Sequence, residues 1–464
     1  MRLPSPDSRR TPRHRLRSWA GVAVLGLGLA TGCRHGAATE RPLDARAQAR
    51  EYLEKKQPER ALPLLEAESA RAPEDLELAR MLTEAQVKAG RADTWIAELQ
   101  RRNAQVERAE NHYMLGLAYF SRASDAGGPA VAAFERAVEL KPDEPELHYR
   151  LGLARLESEQ YGAAVGPLRR AAELAPERAG IRLPLAKALH RTGDSAGAVA
   201  ALGALVRMSP SRAEVATARA LMDQIADPFA RFPKAAEPKL EEGLRYLREL
   251  DAPHPAIVAF EEILRDYPDL AVVHALMGLA WQRLDDAGRA VEEFKRAIEL
   301  APEDGKNHFY LGELYLGRQR PEAARTHLEK AVELNPLQDV AWFRLGDIHL
   351  ERRDLKAAGE AFRVLTSLAP DEEAPRGKLA LVRQLEGDWA GAERELLYVV
   401  EKNPDNVEFT LRLGVLFTEQ AKQSSRPEER KEAAGKAERW LRKVLEAQPE
   451  NAMASRALQQ LKSP

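Results

Sequence analysis

Cysteine is almost absent from this chain: one in 464 residues. A lone cysteine excludes an internal disulfide and any multi-cysteine metal or redox motif, so its position carries more information than its number. Aromatic residues make up only 6% of the sequence, which favours an elongated repeat array over several ordinary domains. Val-Ile-Thr runs with two-residue alternation are scarce, so no sheet is expected; alanine, leucine, glutamate and arginine dominate, and they favour helices. Net charge is nearly absent too, with 70 basic and 72 acidic residues giving -2. That balance supplies no global attraction for nucleic acid or anionic lipid and argues against a DNA or RNA partner. There is no Gly-rich phosphate loop, GxSxG elbow, GxGxxG fingerprint or HExxH pair, and the carboxylates are spread along solvated helix faces rather than paired for acid-base work. The expectation is a protein that is not an enzyme, with no small-molecule substrate, no metal and no cofactor.

The first 33 residues read as an address. Arg9, Arg10, Arg13, Arg15 and Arg17 form a basic leader, and Trp19 to Gly32 follow without a charge before Cys33, the pattern of a signal peptide. As a helix that stretch spans about 21 Å against a bilayer core of about 30 Å, short for a permanent transmembrane anchor. Leu29, Ala30, Thr31, Gly32 and Cys33 resemble a bacterial lipobox, in which small residues precede a cysteine that receives a lipid. The resemblance implies a covalent lipid on Cys33 and membrane attachment through it. Arg34, next in the chain, is not the aspartate of an inner-membrane retention signal. The implied location is the bacterial cell envelope, at the outer membrane facing the periplasm.

Beyond a polar tether the chain counts in thirty-fours. Pro142, Pro176 and Pro210 are separated by this step, and so are Pro268, Pro302, Pro336, Pro370 and Pro404. Twenty-two residues after these prolines comes a small residue, at Ala164, Ala198, Ala290, Ala324, Ala358 and Ala392. Four residues further lies a bulky one, at Leu168, Leu202, Phe294, Leu328, Phe362 and Leu396. Ten after the proline stands Gly152, Gly278, Gly312, Gly346 or Gly414. Small residues let two antiparallel helices approach, large ones fill the space between neighbouring hairpins, and proline ends the second helix because it lacks an amide donor. Acidic residues that follow, as in Pro302-Glu303-Asp304, complement the dipole of the next helix start.

This pattern resembles the tetratricopeptide repeat, W-x2-L-G-x2-Y, then A-x3-F, then P. The fullest copies are Trp342 to Gly346 with Ala358, Phe362 and Pro370, and Leu311 to Tyr315 with Ala324, Leu328 and Pro336. The resemblance implies an all-α, right-handed superhelical solenoid of helix-turn-helix repeats, each leaning on its neighbours. Eleven repeats are expected, ending at Pro73, near Glu107, and at Pro142, Pro176, Pro210, Pro268, Pro302, Pro336, Pro370, Pro404 and Pro449. Trp95 stands at the small-residue position of the second. Pro167 and Pro184 fall inside expected helices and predict kinks there. The organisation follows: signal peptide over 1–33, tether over 34–41, a first array over 42–226, a Pro/Phe linker over 227–238, a second array over 239–451, and a capping helix with its tail over 452–464. In the linker, Phe229 and Phe232 either plug an exposed helix face or form a site of their own.

His112, His148, His274 and His308 each lie six residues after a repeat boundary, where the family often has tryptophan, and read as packing residues rather than metal ligands. In the family the first helix of each repeat lines a concave groove. Carrying that register over gives Tyr113, Phe120, Tyr149, Leu153, Leu156, Leu279, Phe309, Leu316, Phe343 and Leu350 as groove candidates, with Glu313, Asp347 and Leu381 on the same register. A groove of aromatic and aliphatic side chains suits an extended peptide or an amphipathic helix. The resemblance implies a membrane-tethered scaffold whose partners are other envelope proteins, assembling a pilus, secretion or outer-membrane complex. The alternative is a regulatory scaffold that recruits peptidoglycan hydrolases or polysaccharide-export enzymes.

Overall fold

A computed structural model of the chain describes residues 44–122, 127–230 and 232–462. Cys33 and the residues Leu29 to Gly32 before it lie outside the described residues. The described chain contains 24 α-helices and no strand. Five hairpins come first: α1 (Ala45–Glu54) with α2 (Pro58–Arg71), α3 (Leu76–Lys88) with α4 (Ala92–Gln105), α5 (Ala109–Phe120) with α6 (Gly127–Leu140), α7 (Pro145–Glu157) with α8 (Tyr161–Leu174), and α9 (Arg182–Arg191) with α10 (Ser195–Val206). The single helix α11 (Arg212–Ile225) follows. Six more hairpins pair α12 (Glu237–Arg248) with α13 (Pro253–Asp266), α14 (Ala271–Arg283) with α15 (Ala287–Leu300), α16 (Gly305–Gly317) with α17 (Pro321–Leu334), α18 (Asp339–Glu351) with α19 (Leu355–Leu368), α20 (Glu373–Glu386) with α21 (Trp389–Lys402), and α22 (Val407–Gln423) with α23 (Pro427–Ala447), before α24 (Ala452–Lys462). The fold is an all-α solenoid.

Local chemistry explains the helix limits. Asp194, Asp286, Asp354 and Asp388 each accept a backbone N–H at the start of the second helix of a hairpin, satisfying a donor that the helix cannot. The tight turn before them passes through the left-handed region, at φ +82 for Gly387 and φ +63 for Arg353. Glycine reaches that region without steric cost, whereas arginine does not. Pro184 lies in the first turn of α9, after a 3-10 turn at Ala179–Ile181, where its missing N–H leaves no bond unmade. Pro167 sits within α8, which runs 14 residues without a break. The extra residues of the last hairpin lengthen its helices to 17 and 21 residues, against 13 and 14 in α18 and α19.

Within each hairpin the periodic glycine faces the periodic bulky residue. A Cβ added to Gly346 would stand 2.6 Å from Cε1 of Phe362, and one on Gly278 would stand 2.6 Å from Cε1 of Phe294. Gly152 meets Leu168 and Gly312 meets Leu328 in the same way. The large side chain therefore lies across the glycine inside its own hairpin, in addition to closing the space toward the next. The second repeat shows what happens without a small residue: Trp95 is buried, its Nε1 donates to Thr83 Oγ1 at 3.3 Å, and α5 packs on α3 more closely than α4 does.

Where the rhythm breaks, the core does not. α11 has no hairpin partner of its own, and α19 packs against it instead, while α10 packs against α17 and α19. Val215, Ala218, Leu221 and Met222 belong to one buried cluster with Ala361, Leu365 and Leu368. Arg207 reaches Glu360 at 2.8 Å and lies over the Trp342 ring, Arg212 reaches Asp371 at 2.5 Å, and Arg219 donates to the Leu368 carbonyl at 3.3 Å. Exposed ion pairs contribute about 0.2–1 kcal/mol each, so the shared apolar burial holds the junction and the arginines set its register. Phe229 and Phe232 meet edge to face at 5.9 Å and pack on the cluster built by α12 to α14. They cover the start of the second array rather than the open face of α11.

Candidate functional site

Within each array first helices of successive hairpins meet, as α7 meets α9 and α14 meets α16, so each array presents a first-helix surface of its own. Eight of the ten groove candidates are half-buried on these surfaces. Tyr149, Leu153, Phe309, Leu316, Phe343 and Leu350 rest against the central core cluster, Phe120 against the first cluster, and Leu279 against two others. The remaining two are not surface groups. Tyr113 is entirely buried, its ring 6.2 Å from Phe134 and its hydroxyl donating to Glu146 at 3.0 Å; burial pushes its pKa well above the usual phenol range. Leu156 is turned into the core. Neither offers contact area to a partner, because both are covered by their neighbours.

A ladder of ion pairs runs between neighbouring first helices. Arg344 of α18 grips Glu313 of α16 with two bonds, at 2.9 and 3.1 Å, and Lys378 of α20 reaches Asp347 of α18 at 2.8 Å. In the first array Arg178 bonds Glu146 at 2.5 Å and stacks 4.5 Å above the Tyr149 ring. Burial opposes ionisation of Glu146, yet the charges and hydrogen bonds of Arg150 and Arg178 hold its carboxyl below the usual range. These carboxylates are answered within the chain, which leaves the apolar side chains between them as the contact area. The most exposed large apolar residues of these surfaces are Val340, Leu381 and Leu385, at 43%, 40% and 44%. Leu381 stands eleven residues after Pro370; Val340 and Leu385, four and fifteen after their prolines, lie on the same register and were open to detection by it.

The residues six places after the boundary do more than pack. His148 bonds the Pro142 carbonyl at 2.7 Å, His274 the Pro268 carbonyl at 3.0 Å, and Trp342 donates through Nε1 to the Pro336 carbonyl at 2.9 Å. Arg182 does the same for Pro176 at 2.9 Å. Each ties the proline turn to the following helix, satisfying a carbonyl the helix before it cannot use. His112 contacts Glu107 at 3.0 Å, and His308 instead faces His327, with their Nδ1 atoms 3.1 Å apart. Among the described residues no three of His, Cys, Asp and Glu converge as metal ligands, and no helix is long and apolar enough to cross a membrane.

The hairpin geometry defines an all-α solenoid with an extended first-helix surface. A family model described as Tetratricopeptide repeat matches residues 123–179, 276–339 and 309–373, and a second of the same description matches 155–222. Tetratricopeptide repeats are thus present in both arrays, and proteins built from them are generally scaffolds that bind peptides or other proteins. No curated protein matches the chain. Among solved structures it is similar to YrrB, described as a TPR protein with an unusual peptide-binding site, at 19% identity over 43% of this chain and 98% of that one, TM-score 0.38. It is similar to PilF of Pseudomonas aeruginosa at 19% over 48% and 96%, TM-score 0.37. The Cut9–Hcn1 hetero-tetramer of APC/C is similar at 12% over 90% and 96%, TM-score 0.35.

Proposed function

We propose that this protein is a lipid-anchored scaffold of the bacterial envelope that holds segments of partner proteins against the first-helix surface of its second array. The observation that carries the binding half is the apolar strip of Phe309, Leu316, Phe343, Leu350, Leu381 and Leu385, within which Glu313 and Asp347 are already paired with Arg344 and Lys378. A partner helix or extended segment buries that strip with Glu313 and Asp347 already neutralised from within the chain. The anchoring half rests on the sequence alone: a basic leader, an uncharged apolar stretch, and small residues before Cys33. Attached at Cys33, the array would work beside the outer membrane, gathering components of a pilus, secretion or outer-membrane assembly.

Two substitutions test the halves separately. Cys33→Ala abolishes labelling with palmitate and retention in the membrane fraction; undiminished labelling removes the anchor. Leu381→Asp combined with Leu385→Asp leaves the anchor intact and loses the partners recovered by crosslinking from membranes, and unchanged recovery removes the groove. The identity of those partners separates assembly from regulation: secretin or pilus subunits support the former, hydrolases or export enzymes the latter.

A further inference from the structure

Beside the docking of α10 and α11 onto α17 and α19 lies a cleft of about 910 Å³ whose lining shares no residue with the apolar strip of Phe309 to Leu385. Its walls are apolar, with Val199 and Ala200 of α10, Met222 and Ile225 of α11, and Val272 and Val332 from the second array. Its rim is acidic: Asp227, Asp269, Glu303, Asp304, Glu329 and Glu333 all line it. Among the described residues the single basic one in the lining, Arg207, is occupied by Glu360, by the Gly203 carbonyl at 2.9 Å and by the Trp342 ring.

We infer that this cleft receives a basic segment of a partner protein, with an apolar side chain between two cationic ones. The volume suits a few side chains, within the range of ordinary ligand sites of about 300–1,000 Å³. The charge of the rim selects the sign of the occupant. Asp269, Glu329 and Glu333 have cationic neighbours in Arg296, Arg325 and Lys330, but Glu303 is exposed and makes no ion pair among the described residues, and Asp304 is tied only to the backbone N–H of Lys306, at 2.9 Å. Burial, with the charge of Glu303 beside it, holds the Asp304 carboxyl above its usual range, against the pull of Lys306, so an approaching ammonium or guanidinium relieves a charge that the chain itself leaves unanswered. An anionic segment meets like charge from Asp227 and from the edges formed by Asp269, Glu303, Asp304, Glu329 and Glu333. The apolar walls then reward an occupant that is not merely cationic.

The full chain is titrated, by fluorescence anisotropy, into a fluorescein-labelled pentapeptide alternating lysine and leucine, and into its counterpart alternating glutamate and leucine. The basic peptide binds saturably and the acidic one does not; raising the salt from about 50 to about 200 mM weakens the binding, as expected of charges within reach of counter-ions. Ala200→Trp fills the cleft from an exposed position on α10, and Glu303→Lys reverses the unpaired rim charge. Each lowers affinity about tenfold or more, roughly 1.4 kcal/mol, while helical circular dichroism stays that of the wild type. The double substitution at Leu381 and Leu385 leaves this binding unchanged, which separates the cleft from the groove. Equal binding of the two peptides, absence of saturable binding, or wild-type affinity in both cleft variants overturns the inference.

Discussion

Changing Gly346 to alanine tests the packing rule on which every hairpin is built. In an exposed helix interior this exchange is favourable by about 0.5–1 kcal/mol, because alanine loses less conformational freedom than glycine on folding. At Gly346 the new methyl would lie 2.6 Å from Cε1, 2.7 Å from Cζ and 3.0 Å from Cδ1 of Phe362, a ring that is entirely buried. The ring has nowhere to retreat without disturbing its neighbours, and overpacking of that kind costs about 1–3 kcal/mol. Setting the second figure against the first leaves a net destabilisation of about 0–2.5 kcal/mol, centred on about 1 kcal/mol. Gly435 supplies the control: it is exposed within α23, and a methyl there meets nothing within 4 Å. Gly435→Ala therefore gains the propensity term alone, about 0.5–1 kcal/mol. The two identical substitutions move the thermal midpoint in opposite directions, by about 2–4 °C per kcal/mol for a cooperative unit of 150–250 residues. Because repeat arrays unfold in more than one step, amide exchange in α19 is followed alongside the melt. If Gly346→Ala melts at or above the wild type with undiminished protection in α19, the ring does not cross the glycine and the packing rule fails.

The docking of the two arrays has a covalent test: the Cβ position of Gly203 lies 3.8 Å from Cβ of Pro336, the usual separation across a disulfide. In a Cys33→Ser background, Gly203→Cys with Pro336→Cys forms an intramolecular bridge on mild oxidation, read as faster migration on a non-reducing gel; thiols that stay free refute the docked arrangement. The His308–His327 pair predicts a pH response. Burial, then the charge of His327, draws His308 down to about 4, and burial followed by the charge of Lys295 lowers His327. Both are bases whose folded pKa falls below the unfolded value, so the unfolded state binds more protons; their contribution is intact above about 6.5 and is lost as pH falls toward about 4. His274 shifts the other way, since its hydrogen bonds to Glu293 and the Pro268 carbonyl outweigh the effect of burial, and the readout is accordingly a difference between proteins. Replacing His308 and His327 together by glutamine flattens the fall in melting temperature between pH 7 and pH 4 relative to wild type; parallel curves refute the assignment.

The hairpins were legible because their signals are local. A proline that ends one helix, and a glycine that admits Phe362 or Leu328, act within a single 34-residue unit, and periodicity reports such contacts directly. The docking of α11 on α19 left no comparable trace. Arg207, Arg212 and Arg219 read as ordinary helix-surface cations, and nothing in their spacing points to Glu360, Asp371 or Leu368, some 150 residues away. The groove was legible in register but not in exposure. A residue's distance from the proline gives its angle around the helix, while the lean of neighbouring helices decides whether Tyr113 and Leu156 stay outside, and both are turned in. The histidines were legible as structural residues, though their bond to the proline carbonyl depends on a turn that hydrophobic patterning does not encode.

An open stack of hairpins can change length wherever a unit is inserted or lost, since each new member needs only its two neighbours. This chain has surrendered that freedom over one interval. The face of α11 is completed by a helix eight hairpin halves further on, so α12 to α18 form a closed circuit whose circumference must stay constant. Dropping or doubling one hairpin inside that circuit would carry α19 away from α11, whereas the same change before α7 or after α20 would leave the closure untouched.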